Sequence, residues 1–387
     1  MAREIAITAY LLFFKTIFTL FKLFPLKSKV VFVVSFSENN KKVYEEMLRQ
    51  DLSCRTLFLT TEKMYPIFSK LDGSDTFLFH VKRPYEFLCS IYHLATSKII
   101  FVDNYYGFLS ASDFREGVEC IQLWHANGAT KKFGLGDSSN QIRGNRAIRR
   151  FRQVYARFSR IAVGSRKMAD IFQKAFHISS EKFLFTGIPR TDPFFSHRNE
   201  GISKEKLYKR YPEIIGKKVI LYAPTYRDHE LTEQSLRLDV SKVMSELGDD
   251  YRLMIKLHPA VRQSLNMGVG NEGVINVSSH HNLNDILFVT DILITDYSSI
   301  PFEYSILGKP MIFYFYDYHL YNQKPGIWEE FLEDIPGPIA YETDEIIKII
   351  KNGHFDLNKI QRFSDKWNEF SKGYSSENLV KFLKEKL

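Results

Sequence analysis

The sequence predicts an α/β protein of two doubly wound, Rossmann-like domains, and three observations carry that prediction. Short apolar runs rich in Val, Ile, Leu and Phe recur without the alternation of a half-exposed strand, as expected of strands buried on both faces of a parallel sheet. Longer amphipathic stretches separate these runs, which implies right-handed βαβ units with helices covering each sheet. Polar clusters follow five of the runs, at the strand edge where doubly wound sheets place function.

Length and composition agree. The 387 residues suffice for two domains with large cores. Hydrophobic residues make up 44% and charged residues 25%, a globular balance that excludes a disordered chain. Aromatics reach 15%, so large apolar surfaces are expected, chiefly in the cores. A formal net charge of +8 favours anionic partners: phosphates, nucleic acid or acidic headgroups. Cys54, Cys89 and Cys120 lack paired spacing, so they build neither a disulfide framework nor a zinc site, and a reducing compartment is the natural reading.

Residues 5–24 read IAITAYLLFFKTIFTLFKLF and end at Pro25. A secretory signal needs an unbroken apolar core and a small-residue cleavage site, and neither is present. Lys15 and Lys22 argue against a spanning helix. Thr8, Lys15, Thr19 and Lys22 recur at helical steps and form one polar stripe. Residues 1–27 are therefore expected to form an amphipathic helix lying in a membrane interface, with packing on its own domain as the alternative.

Strands are expected over 30–36, 56–60, 76–81, 99–102, 120–123, 161–163 and 183–185, then 219–222, 253–257, 274–277, 292–295 and 311–316. The break between halves falls in the polar stretch 192–217, which holds Pro193, Gly201, Pro212 and Gly216. Domains of 28–195 and 196–387 follow, with the last helix a candidate to cross back.

Five clusters could carry chemistry. Thr295-Asp296-Tyr297-Ser298-Ser299 links an apolar strand to a helical pattern, so Ser298 and Ser299 fall at a helix N-terminus, an anion site. Simple capping by Asp296 or Ser298 is the bland reading. Glu303, one turn into the helix, favours a ligand because a carboxylate there could accept bonds from ribose hydroxyls. In the second cluster a strand delivers His125, Asn127-Gly128 makes a turn, and Lys131 and Lys132 could sit beside a pyrophosphate. A histidine there can take a proton near neutral pH, although a lone histidine is often structural. His258 closes the strand 253–257, Thr225 and Arg227 follow 219–222, and Arg190 follows 183–185. Asp249-Asp250 precedes a strand, at the wrong edge for a metal site. Arg143, Arg146, Arg149, Arg150, Arg152, Arg157 and Arg160 crowd one helix-like stretch, where attraction to anionic lipid or to a pyrophosphate is preferred over a nucleic-acid surface.

The strings WHANGATKKFGL, GIPRTDPFF, ILYAPTYRD, KLHP and DILITDYSSIPFEYSILGKP, in this order, resemble the CDP-glycerol glycerophosphotransferase family of wall teichoic acid synthesis. The likeness runs from about Val30 to the C-terminus. Ala126-Asn127, where many polymerases have W-H-G, and the lack of a long N-terminal extension point to the primase branch. The resemblance implies a GT-B-like fold with the donor held by the second domain, and peripheral attachment to the cytoplasmic face of the cell membrane. It implies transfer of glycerol phosphate from CDP-glycerol to the N-acetylmannosamine hydroxyl of an undecaprenyl-diphosphate-linked disaccharide, with CMP leaving. Anionic membrane lipid would be a partner and nucleic acid would not. No cofactor is required, while a divalent cation, a homo-oligomer and association with other teichoic acid enzymes stay open.

Carried over residue by residue, His125 would be the general base and His258 would stabilise charge on the donor phosphates. Ser298 and Ser299 would bind phosphate oxygens, Asp296 would fix that turn or touch glycerol, and Glu303 would hold the ribose. Thr225 and Arg227 would line the donor side. Asn127, Lys131, Lys132 and Arg190 would contact acceptor or phosphate. The rivals are a polymerising glycerol- or ribitol-phosphate transferase of the same family, and a non-catalytic basic nucleotide- or nucleic-acid-binding protein, which would not need His125 and His258.

Overall fold

The computed structural model describes residues 2–225, 227, 236–257, 272–280 and 282–387. Its contacts divide the chain into two compact units. One comprises Met1–Asn127, Phe133–Asp192 and Glu369–Leu387; the other comprises Gly128–Lys132 and Pro193–Asn368.

The first unit holds β1 (Lys27–Val34), β2 (Arg55–Thr60), β3 (Ser74–Leu78), β4 (Ser97–Val102), β5 (Glu119–Gln122), β6 (Arg160–Ala162) and β7 (Phe183–Leu184) in one sheet of order β3-β2-β1-β4-β5-β6-β7. Every pairing is parallel, with Val31 opposite Leu57 on one side and Ile100 on the other. The order reverses between β1 and β4, the place where such sheets open a crevice. Phe32 stacks on Phe58 at 5.0 Å and on Phe101 at 4.8 Å, so the central strands interlock through rings. The last helix, Ser375–Lys386, buries Leu379, Val380 and Leu383 in this same core. Asp192 holds its start, accepting from the amides of Ser375 at 2.9 Å and Ser376 at 2.8 Å.

The second unit holds β8 (Lys218–Ala223), β9 (Tyr251–Ile255), β10 (Val274–Asn276), β11 (Ile292–Thr295), β12 (Met311–Tyr314) and β13 (Ile339–Ala340), ordered β10-β9-β8-β11-β12-β13 and parallel throughout. Its switch lies between β8 and β11. β13 went unread in the sequence because two residues make no apolar run. Several strands also stop short of the apolar run that predicts them: β1 ends at Val34, β3 at Leu78, β5 at Gln122 and β12 at Tyr314. Past β1 the ladder ends because the amides of Ser35 and Phe36 turn to the Asp103 carboxylate instead.

The N-terminal helix α1 (Ala2–Phe21) packs one aromatic face on its own unit. Phe14 and Phe18 are buried; Phe14 lies 5.2 Å from Phe108, and Phe18 lies 5.7 Å from Phe114. Ile5, Leu12, Phe13 and Leu20 stay exposed. Lys22 falls just past the helix end, so after Arg3 and Glu4 in the first turn Lys15 is the one charged residue within the helix. By length and composition alone the helix is long and apolar enough to cross a membrane. Polar clasps hold both its ends. Arg150 pairs with Glu4 at 2.7 and 3.0 Å, and the Arg115 guanidinium donates to the carbonyls of Lys22 (3.0 Å) and Phe24 (2.7 Å). Arg157 meets Asp113 at 3.1 Å. Arg143, Arg150, Arg157 and Arg160 of the arginine-rich stretch are thus engaged within the unit.

Candidate active site

In the first unit the site grows from the C-terminal ends of β1, β4 and β5. Asp103, just past β4, is fully buried and accepts from the amides of Ser35 (2.9 Å) and Phe36 (2.8 Å), from Asn40 Nδ2 (2.7 Å) and from the Tyr106 hydroxyl (2.6 Å). Burial pushes its carboxyl up to about 6 against the pull of those donors. Its own carbonyl oxygen lies 3.1 Å from Nδ1 of His125. A carbonyl can only accept, so Nδ1 carries the proton and the neutral ring keeps its lone pair on Nε2. Among the described residues Nε2 makes no hydrogen bond.

Burial lowers the imidazole to about 4, the Asp103 carbonyl opposing the shift and the Arg190 guanidinium adding to it. The ring is neutral at neutral pH and able to accept a proton. Phe36 lies nearly parallel to it at 4.3 Å and 17°, Trp124 at 4.4 Å and 28°. Trp124 itself sits at φ 56, a left-handed conformation that costs a bulky side chain about 1–3 kcal/mol. Gln122 Oε1 steadies it by accepting from the Trp124 amide at 2.8 Å.

Arg190 approaches His125 from the β7 loop, its guanidinium donating to the His125 carbonyl at 2.6 Å. Asn39 ties the same parts together, accepting from the Arg190 amide at 2.9 Å and donating to the Trp124 carbonyl at 2.9 Å. Asn127 is fully buried. Sequence reasoning singled out His125, Asn127 and Arg190 but missed Asp103, Asn39 and Phe36.

In the second unit Asp296 follows β11 and is almost fully buried. One of its oxygens accepts from the amides of Thr225 (2.8 Å) and Tyr297 (2.7 Å), the other from Arg227 at 2.6 Å. Arg227 also forks onto Asp317 with two bonds of 2.9 Å, donates to the Thr225 carbonyl, and lies over the rings of Tyr297, Tyr316 and Tyr321. Burial disfavours its charge, but the two carboxylates outweigh that and hold its pKa above the ordinary value. Arg227 is 4% exposed, so it braces the turn from within and is not an open donor contact.

Ser298 Oγ accepts from the Ile300 amide at 3.2 Å, a capping bond, while the amides of Ser298 and Ser299 make no hydrogen bond among the described residues. The following helix, Ile300–Tyr304, is only five residues long and carries Pro301 in its first turn, which limits its dipole. Glu303 is 2% exposed, so its carboxylate lies within the unit and not on an open surface.

The segment Gly128–Lys132 belongs to this second unit. Thr130 Oγ1 donates to the Ser298 carbonyl at 3.0 Å, and the Lys132 amide donates to the Gly326 carbonyl at 2.9 Å. A Cβ at Gly128 would meet the Phe302 ring at 2.5 Å, so only glycine allows this approach. Lys131 Nζ lies 5.7 Å above the Tyr321 ring; burial draws its ammonium down to about 8, with Asp296 opposing that shift. The lysine pair of the sequence therefore accompanies the Asp296 turn, while His125 belongs to the other unit. His258 lies outside the described residues. No three His, Cys, Asp or Glu side chains gather as a metal site among the described residues.

Two doubly wound parallel sheets, each with its polar cluster at the strand C-termini beside the switch point, define a transferase fold of GT-B type. The chain belongs to the CDP-glycerol:poly(glycerophosphate) glycerophosphotransferase family, whose model matches residues 16–385. It is 38% identical over 381 residues to a teichoic acid glycerol-phosphate primase of Bacillus subtilis (strain 168), covering 98% of each chain. It is 36% identical over 377 residues to the primase of the same description from Bacillus spizizenii, covering 97% of each. Among solved structures, the wall teichoic acid polymerase TagF superposes with a TM-score of 0.81 at 23% identity, covering 100% of this chain and 99% of that one, a likeness of fold.

Proposed function

We propose that this chain transfers a single glycerol phosphate from CDP-glycerol to the N-acetylmannosamine hydroxyl of a lipid-diphosphate-linked disaccharide, at the cytoplasmic face of the cell membrane. The observation that carries the reading is His125: Nδ1 is committed to the Asp103 carbonyl, and Nε2 is left as a base. The acceptor hydroxyl gives its proton to Nε2 as its oxygen forms a bond to the glycerol-bearing phosphorus. The bond from that phosphorus to the bridging oxygen breaks, and CMP leaves with the electron pair. Such transfers depend on positioning and charge stabilisation.

The Ser298 and Ser299 amides and the Lys131 ammonium supply donors for the phosphates, with His258 added from the sequence. Thr225, Asp296 and Arg227 keep that turn in shape. Arg190 and Asn39 hold the His125 loop. The apolar residues that α1 leaves exposed meet the membrane that carries the acceptor, beside arginines that attract anionic headgroups.

One assay tests this: CDP-glycerol with a soluble short-chain analogue of the lipid-linked disaccharide, scoring CMP and the glycerol phosphates added per acceptor. One addition is expected; a ladder would show a polymerase. His125→Ala should lose about 10²–10⁴-fold in turnover while its KM for CDP-glycerol is held. A variant that keeps the wild-type rate removes His125 from the chemistry.

A further inference from the structure

We infer that the rings of Phe36 and Trp124 stabilise the positive charge that His125 acquires during transfer, as positioning residues acting through the imidazole; this rests on the function proposed above. When the acceptor hydroxyl passes its proton to Nε2, the neutral ring becomes an imidazolium with one positive charge. No carboxylate pairs with that ring among the described residues. Asp103 offers Nδ1 its carbonyl, while its carboxylate is taken up by Ser35, Phe36, Asn40 and the Tyr106 hydroxyl. Of the other charged groups facing the ring, Glu38 favours the cation through space and Arg190 opposes it.

The aromatic faces supply the missing stabilisation. Phe36 lies against the imidazole at 4.3 Å and 17°, and Trp124 at 4.4 Å and 28°. The two rings lie close to parallel with the imidazole and make no contact with each other, so they cover its opposite faces. The face of an aromatic ring is partly negative, and it attracts a cation within about 6 Å of its centroid. That attraction is stronger for the imidazolium than for the neutral ring. An interaction that strengthens as charge develops lowers the barrier of the step.

Both rings are held in place by their main chains. The Phe36 amide donates to Asp103 at 2.8 Å, and its carbonyl accepts from Asn40 Nδ2 at 2.9 Å. The Trp124 amide donates to Gln122 Oε1 at 2.8 Å, and its carbonyl accepts from Asn39 Nδ2 at 2.9 Å. Phe133 packs against the Trp124 indole at 4.8 Å, with Phe172 at 5.5 Å and Phe176 at 5.8 Å. The sandwich therefore exists before the proton arrives, and no reorganisation is needed when it does.

The direction of the pH response separates this role from simple burial. Losing a π face makes the imidazolium less stable, so the acid limb of kcat/KM moves to lower pH. Losing burial lets water reach the ring, which favours the charged form and moves the limb up. Phe36→Leu keeps apolar bulk without a π face. A trifluorinated phenylalanine at position 36 keeps the ring but withdraws the negative charge from its face, and Phe36→Tyr keeps ring and charge. Each of the first two should lower the limb by about 0.5–1 pH unit, the size of one cation–π contact. Each should also lower kcat about two- to tenfold and leave KM for CDP-glycerol and for the disaccharide analogue in place. Phe36→Tyr should keep the wild-type limb. If Phe36→Leu does not fold, the fluorinated ring decides alone. An unmoved limb or an unmoved kcat in either variant overturns the inference, as does a fallen limb in Phe36→Tyr. So does a limb that rises towards 6.5, which would leave Phe36 only as a shield from water. A wild-type chain that releases no CMP on adding acceptor overturns the proposed function as well; the other outcomes sink only the sandwich.

Discussion

At the scale of single residues, the chemistry turns on where one proton sits. His125 works as a base only in its neutral form, and protonation at low pH removes it. Its pKa is lowered from 6.5 to about 4, so the working form persists further into acid than an ordinary histidine allows. The acid limb of kcat/KM, which reports the free enzyme, should therefore lie below pH 6.5. A limb at 6.5 or above would show that burial does not control this ring. His125 was legible because a strand followed by Trp-His-Ala-Asn-Gly places a histidine at a functional edge. Asp103 was not, since its role depends on β1 lying beside β4, which brings Ser35 and Phe36 to a carboxylate 68 and 67 residues further on. Arg227 was legible as a site residue but not in its role, because its two carboxylate partners lie 69 and 90 positions away.

Elements were more legible than residues. Nearly all strands follow from buried apolar runs, because a parallel strand covered on both faces needs such a run. Their ends are less legible: the apolar run of β1, for one, continues past the ladder because the buried Asp103 carboxylate collects the next amides. The helix α1 shows the same limit. Its polar stripe was visible, but which apolar face packs inward depended on Phe87, Phe108 and Phe114 elsewhere in the chain. With Phe14 and Phe18 inside, Leu12 at 65% exposure and Leu20 at 53% remain to meet lipid. Leu12→Lys with Leu20→Lys should leave the melting transition unchanged and weaken binding to acidic vesicles at least about tenfold, because each leucine forfeits its burial in lipid. Equal binding by the double variant would remove α1 from membrane contact.

For the molecule as a whole, the sequence order hides a return path. Glu369–Leu387 belongs to the first unit although about 180 residues of the second precede it. Leu379, Val380 and Leu383 are fully buried against β1, β2 and β4 residues in the core. Each contributes about 1.5–3 kcal/mol by burial, against a typical domain stability of about 5–15 kcal/mol. Leu379→Ala should accordingly destabilise the first unit by about 2–5 kcal/mol, read as a lowered denaturant midpoint of the unfolding transition. A midpoint unchanged within error would mean that the last helix is dispensable to that core. The polar, helix-like tail raised a return to the first domain as an option, and Glu369–Leu387 does join that unit.

One consequence of the Asp103–His125 contact concerns inheritance. The atom that fixes the imidazole tautomer is a peptide oxygen, and every amino acid encoded at position 103 carries one. Codon changes there can disturb the loop through the lost carboxylate, yet none deletes the acceptor itself. The orientation of the base is thus buffered against drift in the gene, whichever residue comes to stand at position 103.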